Sequence, residues 1–342
     1  MGKKALVVSG GGSKGAYAVG VLKLLSEMRP ELEFNIFVGT STGSLIVPMI
    51  ASDNLPLLEH FYTNVRKHDI VTEGNLVENF RFASSFYDTQ PLANLIMQHY
   101  TDSVYHKIKD DGKELFLATT CLQTGATVMW GVQAPITGSD YAIEQVQNAS
   151  EFRRAILASC NQPVFMEPIT IRQGLREPRQ YVDGGVREYL GIQLAIDAGA
   201  DEIFAISLAA LKEDPVDTTY TKIYPILERT IDIFTEDVGW NDIKVPRVYN
   251  TALRYVDAVK RKMKDDGIRD EKIEEYFRQP LFPAFSNKKP LRIHHIAPRE
   301  PLGGGPGGLN FDPDEMTAML NKGKGQMQTY LAGLPGAPDG NV

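Results

Sequence analysis

Short unbroken apolar runs that end in glycines organise the first fifty residues. Ala5–Ser9, ALVVS, is a continuous apolar run of the kind that forms a strand buried on both faces of a parallel sheet. Gly10–Gly15 follows at once, and then Ala18, Val21, Leu22 and Leu25 recur at helical spacing. Asn35–Val38 predicts a second short strand, and Ser44–Ile50 the start of an apolar helix. Together these read as one βαβα unit with a glycine-rich turn at the C-terminal end of each strand. In an open α/β sheet that edge is where ligands bind.

Further along, residues 55–110 read mostly as helix and loop, with a helix starting near Pro91 and an aromatic patch of Phe80, Phe82, Phe86 and Tyr87. Core packing is the expected role of those rings, ahead of a lipid-facing cap. Lys113–Thr120 and Ala126–Val132 predict a strand pair turning at Thr124-Gly125. Ser150–Ser159 has helical spacing, Ile169–Arg172 and Gln180–Val182 predict two strands, and Asp183-Gly184-Gly185 follows the second. Ile192–Ala198 predicts a short helix and Glu202–Ser207 a buried strand. Two long polar helices fit Thr218–Glu236 and Trp240–Lys264. Leu291–Ala297 is a last strand, Pro301–Gly308 a Gly/Pro loop, and Asp312–Leu331 a helix capped by Asp312. With no internal repeat and no low-complexity linker, the expectation is one continuous α/β domain over 1–332. Its motif-bearing core spans about 4–210, a helical C-terminal part 211–332, and 333–342 reads as a disordered tail.

Composition narrows the function. The chain has 342 residues and a net charge of −7, which argues against non-specific nucleic-acid binding and against a polybasic membrane surface. Its two cysteines, Cys121 and Cys160, are too few for a disulfide scaffold and read as reduced core residues of a cytoplasmic protein. The N-terminus lacks the apolar region of a signal peptide, and Leu6 stands where an N-myristoylation signal wants Ser or Thr. No stretch approaches the ~18 apolar residues of a membrane span. A lipid substrate would thus be met by transient contact with a membrane surface.

The candidate chemistry lies in three motifs. Gly39-Thr40-Ser41-Thr42-Gly43 is a G-x-S-x-G pentapeptide between a predicted strand and a predicted helix. A strand reversing directly into a helix strains its turn residue, and the neighbours two positions away must be tiny to pass each other. That geometry would hold the Ser41 hydroxyl at the sheet tip, faced by free N–H groups of a helix N-terminus. An ordinary capped loop is the bland alternative. Gly10, Gly12 and Gly15 fit G-x-G-x-x-G, but a dinucleotide site needs an acidic residue ending the second strand, and Glu33 lies before that strand. A phosphate-binding loop would need Lys after Gly15, where Ala16 stands. What remains is an anion cradle of bare N–H groups, which beside an exposed serine serves as an oxyanion hole. Lys14, unfavourable for the helix dipole, fits a positive charge kept near a developing anion. Asp183 ends a predicted strand on the same edge and is a candidate general base.

At these positions the chain resembles the patatin-like phospholipases, serine lipid acyl hydrolases with a Ser–Asp dyad and a G-G-G-x-[KR]-G oxyanion loop. Further similar pieces are Tyr87-Asp88 with Pro91-Leu92, the Ala158-Ser159 to Pro163 segment leading to Phe165 and Pro168, and Gly191–Ala195. The resemblance covers about 4–210 well and runs loosely to about 330. Asn161 and Gln162 depart from the family's small residues there, and D-G-G replaces D-G-A. It implies a three-layer patatin-like (lysophospholipase-type) α/β fold, a mostly parallel sheet flanked by helices with helical additions. It implies Ser41 as nucleophile, Asp183 as base, and N–H groups of Gly10, Gly11, Gly12 and Ser13 as the oxyanion hole. Lys14, Gly15, Gly39, Thr40, Thr42, Gly43, Gly184 and Gly185 would support the motifs. The expected substrate is a phospholipid, lysophospholipid or other acyl ester, with no metal or cofactor. An acyl-chain-binding or regulatory module on the same scaffold is the competing class, though binding alone needs neither Ser41 nor Asp183. A Ser–Asp–His esterase is the other alternative, since His294 and His295 follow in that order. They lie in a predicted strand, where at most one could face the site.

Overall fold

The structure is a computed structural model. It describes residues 2–74, 83–134, 136, 141–172, 174, 176–211, 217, 219–278 and 290–333. Its first unit is the expected one: β1 (Lys3–Val8), α1 (Gly15–Met28), β2 (Ile36–Thr40) and α2 (Thr42–Ala51). α3 (Leu55–Asn64), α4 (Lys67–Ile70), the small β3 (Thr72–Glu73) and β4 (Tyr87–Asp88), α5 (Gln90–His99) and α6 (Asp102–Asp110) follow. Then come β5 (Glu114–Cys121), β6 (Thr127–Val132), β7 (Ala142–Gln145) and α7 (Ala149–Cys160). β8 (Ile169–Ile171), β9 (Arg179–Asp183), α8 (Ile192–Asp197) and β10 (Ala200–Ile206) complete the central region. The C-terminal part comprises α9 (Ile223–Asp265), α10 (Asp270–Phe277), β11 (Arg292–Ile296) and α11 (Pro313–Leu331).

Among the described residues the main sheet has nine strands, with β11-β10-β1-β2-β5-β6-β7 in spatial order and β9 pairing with both β5 and β8. From β11 to β5 every pairing is parallel. Burial on both faces explains the unbroken apolar runs of its strands. Leu6, Val8 and Phe37 join a core shared with α1, α2, α3 and α7, while Ala5, Val7, Ile36 and Val38 join one shared with α8. This is the three-layer arrangement of helices on a mostly parallel sheet. β11 pairs with β10, and α11 lies on α1 with the helix backbones in close approach. A Cβ on Gly20 would lie 1.9 Å from the Leu320 carbonyl oxygen, and one on Gly323 2.1 Å from that of Tyr17. The C-terminal segment is thereby fixed beside the first glycine turn.

Two expectations need correction. The two helices expected over Thr218–Glu236 and Trp240–Lys264 are one helix, α9, with Thr218 outside the described residues. Gly239, which lies between the two expected helices, is helical and passes close over Tyr189. A Cβ there would sit 2.7 Å from the ring. β2 also runs two residues further than expected, to Thr40, so the strand extends into the pentapeptide. Besides the small β3–β4 pair within 55–110, two elements escaped the pattern. β7 is short with no fully buried position, and α10 buries only Ile273. In the aromatic patch Phe86 and Tyr87 are buried, as core packing requires. Phe80 and Phe82 lie outside the described residues, as does the tail from 334. Both cysteines are free and buried.

Candidate active site

The topology of β5 brings Ser41 and Asp183 together. β2 runs along one edge of β5 and ends with Thr40 opposite Ala118. β6 occupies the other edge. β9 takes over where β2 leaves off, with Asp183 opposite Thr119. The residue after Thr40 and the last residue of β9 therefore meet above consecutive residues of one strand.

Ser41 sits at φ 54°, ψ −124°, a conformation that non-glycine residues rarely adopt. The pentapeptide glycines permit it: a Cβ on Gly39 would lie 2.5 Å from the Gly43 carbonyl oxygen. The strained turn is held from behind. The Ser41 N–H donates to Ser159 Oγ at 3.0 Å, and Ser159 Oγ reaches the Ala118 carbonyl at 2.6 Å and Ser44 Oγ at 2.7 Å. Ser44 Oγ donates to the Gly39 carbonyl at 2.9 Å, and the Thr42 and Tyr62 hydroxyls hydrogen-bond each other.

Asp183 is buried, and its side chain hydrogen-bonds with Ser41. Oδ1 also accepts from the Gly185 N–H at 2.7 Å. Burial disfavours the carboxylate more than these two bonds favour it, so its pKa is pushed up to about 6. The Asp183 N–H donates to the Asn161 carbonyl at 2.9 Å. Asn161 is itself tied to the Glu167 carbonyl at 2.7 Å and to Thr89. This gives a structural reason for a buried asparagine where small residues were expected. Burial also pushes the Cys160 thiol pKa up, with the Asp183 charge second, so the thiol stays neutral.

Gly10 passes close beside the serine: a Cβ there would lie 3.1 Å from that of Ser41. Gly11, at φ 144°, and Gly12, at φ 56°, then turn the loop into a single 3-10 turn that leads into α1. The N–H groups of Gly11 and Gly12 donate to no partner among the described residues. Together with Ser41 and Asp183 these three glycines line a cavity of about 280 Å³.

The wall on one side is apolar and comes from α2, α3 and α5, with Leu45, Leu58, Phe61, Tyr62, Leu92 and Ile96 among its residues. Arg229, Asp232, Thr235 and Glu236 of α9 add polar groups to the lining. Of the expected site residues, Gly10, Gly11, Gly12, Lys14, Ser41, Thr42, Asp183 and Gly185 line the cavity. Ser13, Gly15, Gly39, Thr40, Gly43 and Gly184 do not. Sequence reasoning missed the α9 residues, Tyr189, Leu302, Gly307 and Met316, whose lining positions arise from long-range packing and carry no local signal.

Among the described residues no histidine lines the cavity. His294 hydrogen-bonds Glu202 at 2.8 Å and also the Tyr330 hydroxyl, and it stacks on Phe204. His295 is buried, and burial pushes its pKa down to about 4.

A family model described as Patatin-like phospholipase matches residues 6–196. No curated protein matches the chain. Among solved structures, that of VipD from Legionella pneumophila matches at 9% identity and a TM-score of 0.44, covering 97% of this chain and 67% of that one. The matched residues 6–196 are more than half of the 342 and include the glycine loop, the serine turn and Asp183. On that span, the chain belongs to the patatin-like phospholipase family, whose members are lipid acyl hydrolases.

Proposed function

We propose that this chain is a serine acyl-ester hydrolase of the phospholipase A or lysophospholipase type, working through a Ser41–Asp183 dyad and an acyl-enzyme. The observation that carries the reading is the Ser41 hydroxyl bonded to a buried carboxylate in a cavity that no described histidine lines. The apolar wall beside it suits an acyl chain, and the unpartnered N–H groups of Gly11 and Gly12 suit an oxyanion. Gly10 and Ser13 complete that loop, with Lys14 also lining the cavity.

Ser41 Oγ attacks the ester carbonyl carbon while its proton passes to Asp183. The carbonyl oxygen becomes an oxyanion and is stabilised by the glycine-loop N–H groups. The tetrahedral adduct collapses, and the leaving alkoxide takes the proton back from Asp183. A water, deprotonated by Asp183, then attacks the acyl-enzyme; the fatty acid is released as Ser41 Oγ departs and takes that proton back from Asp183. A carboxyl near pKa 6 is matched to this shuttle around neutral pH.

The encounter with lipid is proposed to be a transient surface contact. No helix among the described residues is long and apolar enough to cross a membrane. α9 carries exposed Ile226, Ile233, Phe234, Trp240, Val248 and Tyr255 at helical spacing along one side, and these are the candidate contact.

Labelling with a fluorophosphonate tests the reading, with Ser41→Ala as control. Wild type should label and the variant should not, and the variant should lose short-chain esterase activity while staying folded. Asp183→Asn should abolish turnover, while His294→Ala and His295→Ala stay within about tenfold of wild type, ~1.4 kcal/mol in the barrier. A folded Ser41→Ala with wild-type turnover sinks the assignment. A histidine variant as inactive as Ser41→Ala would replace the dyad by a triad.

A further inference from the structure

An oxyanion hole made of peptide N–H groups works only if those peptides are held still. A trans peptide is planar, and its C=O and N–H point in opposite directions. Fixing a carbonyl from behind therefore aims the following amide forward. In the Gly11–Gly12 peptide this is done by the backbone: the Gly11 carbonyl accepts from the Lys14 N–H at 3.1 Å. In the Gly10–Gly11 peptide a side chain does it. The Gly10 carbonyl accepts from Ser9 Oγ at 3.0 Å.

Ser9 is wholly buried and does not line the cavity. A hydroxyl has one proton to give and two lone pairs to fill. The Ser9 proton goes to Gly10. One lone pair accepts from the Leu208 N–H at 2.9 Å, and the Tyr189 hydroxyl hydrogen-bonds to the same oxygen. With the serine proton already committed, Tyr189 is the donor. Rotating Ser9 would therefore break its buried bonds to Gly10 and Leu208. Tyr189 is itself pinned. Its N–H donates to Asp242 of α9 at 2.8 Å, and its ring packs under Gly10 and Gly239.

We infer that Ser9 is a positioning residue for the oxyanion hole, aiming the Gly11 N–H into the cavity by holding the Gly10 carbonyl behind it. It touches no reacting atom, and it links the ends of β1 and β10 to the orientation of one catalytic peptide. The inference rests on the serine-hydrolase reading of the cavity. The competing view is that Ser9 merely satisfies the buried Leu208 N–H. That role would support the fold and would not discriminate between a tetrahedral and a planar ligand.

The experiment compares Ser9→Ala, Ser9→Thr and Tyr189→Phe with wild type in kcat, KM and binding of two inhibitors sharing one acyl chain. A trifluoromethyl ketone adds Ser41 to form a tetrahedral oxyanion, and an ether analogue binds without reacting. Loss of a whole oxyanion donor lowers kcat by about 10²–10³-fold, so Ser9→Ala should lower it by about tenfold or more. KM should stay within about twofold. Ketone affinity should fall in parallel with kcat, ether affinity should hold, and Ser9→Thr should restore most of the loss. If Ser9→Ala does not fold, Tyr189→Phe keeps the ring and removes only the donor to Ser9. It should show the same pattern at about threefold. Wild-type kcat and ketone affinity in these variants overturn the inference, as does equal loss of both inhibitors. A wild type that neither labels at Ser41 nor binds the ketone would instead remove the reading beneath it.

Discussion

Asp183 is held at the end of β9 in conditions that oppose its own charge. It accepts from the Gly185 N–H and shares a hydrogen bond with Ser41, yet burial still pushes its pKa up to about 6. The unfolded value is about 3.8. Between those two values the native state binds the proton more tightly than the unfolded one, so native stability falls as pH rises through that window. Above the folded pKa the ionised carboxylate costs up to about 3 kcal/mol. Asp183→Asn, neutral at every pH, should therefore raise the melting temperature at pH 8 while removing activity. The gain should disappear near pH 4. If Asp183 is the base proposed above, wild-type kcat/KM should rise with pH along a single limb of apparent pKa near 6, since a protonated carboxyl could not accept the Ser41 proton. Denaturation scans at the two pH values and a kcat/KM profile check this. An activity limb near 4, or a variant no more stable than wild type at pH 8, would mean that burial does not govern this group. The serine turn and Asp183 are legible in the sequence because each depends on local rules, a strained turn between glycines and a carboxylate ending a strand. The magnitude of the pKa shift was not legible, because it comes from what covers Asp183.

Two glycine-rich loops far apart in the chain lie backbone against backbone. A Cβ on Gly12 would meet the Gly308 carbonyl oxygen at 2.2 Å, and one on Gly308 would meet that of Gly11 at 2.2 Å. The second loop is anchored through Gly304 N–H to Glu315 of α11 at 2.9 Å and Gly307 N–H to Asp232 of α9 at 3.0 Å. Two C-terminal helices thus press on the candidate oxyanion loop, which is itself in the family-matched region. Gly308→Ala should displace Gly11 and Gly12, lowering kcat well beyond its effect on KM. Overpacking should also cost about 1–3 kcal/mol of stability. Gly267→Ala is the control. Gly267 also has positive φ, 84°, but nothing lies within 4 Å of its would-be Cβ. That variant carries about 1–2 kcal/mol of left-handed strain without the contact, and kcat should not change. Equal kcat for the two variants would show that the loops merely touch. Pattern reading identified Pro301–Gly308 as a loop and α11 with its Asp312 cap. It could not find the first loop's partner, because a contact across almost 300 residues leaves no periodicity. The same holds for α9. The packing of Gly239 on Tyr189 has no local signature, and Asp232, Thr235 and Glu236 give no local sign of facing a site.

At the scale of the molecule, the cavity is walled by residues from Gly10 to Met316, so its floor is legible in the motifs and its rim only in the packing. That rim bears on how a lipid arrives. α9 turns Asp232, Thr235 and Glu236 toward the cavity, while Phe234, 66% exposed, and Trp240, 43% exposed, do not line it. Partly exposed aromatics on a helix with few buried residues offer an apolar footing of modest area, which favours reversible adsorption. The net charge of −7 works against anionic surfaces. Neutral vesicles should therefore bind the protein weakly, and anionic ones more weakly still, with the difference shrinking as salt screens the repulsion. The double variant Phe234→Ser, Trp240→Ser should lose flotation with neutral vesicles and slow hydrolysis of vesicle lipid. Its kcat/KM on a water-soluble short-chain ester should match wild type, because neither side chain lines the cavity. Tight, salt-resistant binding of the resting protein would contradict transient contact. Equal loss on vesicle and soluble substrates would place the two aromatics in the folding of α9 over the site, and membrane approach would have to be sought on another face.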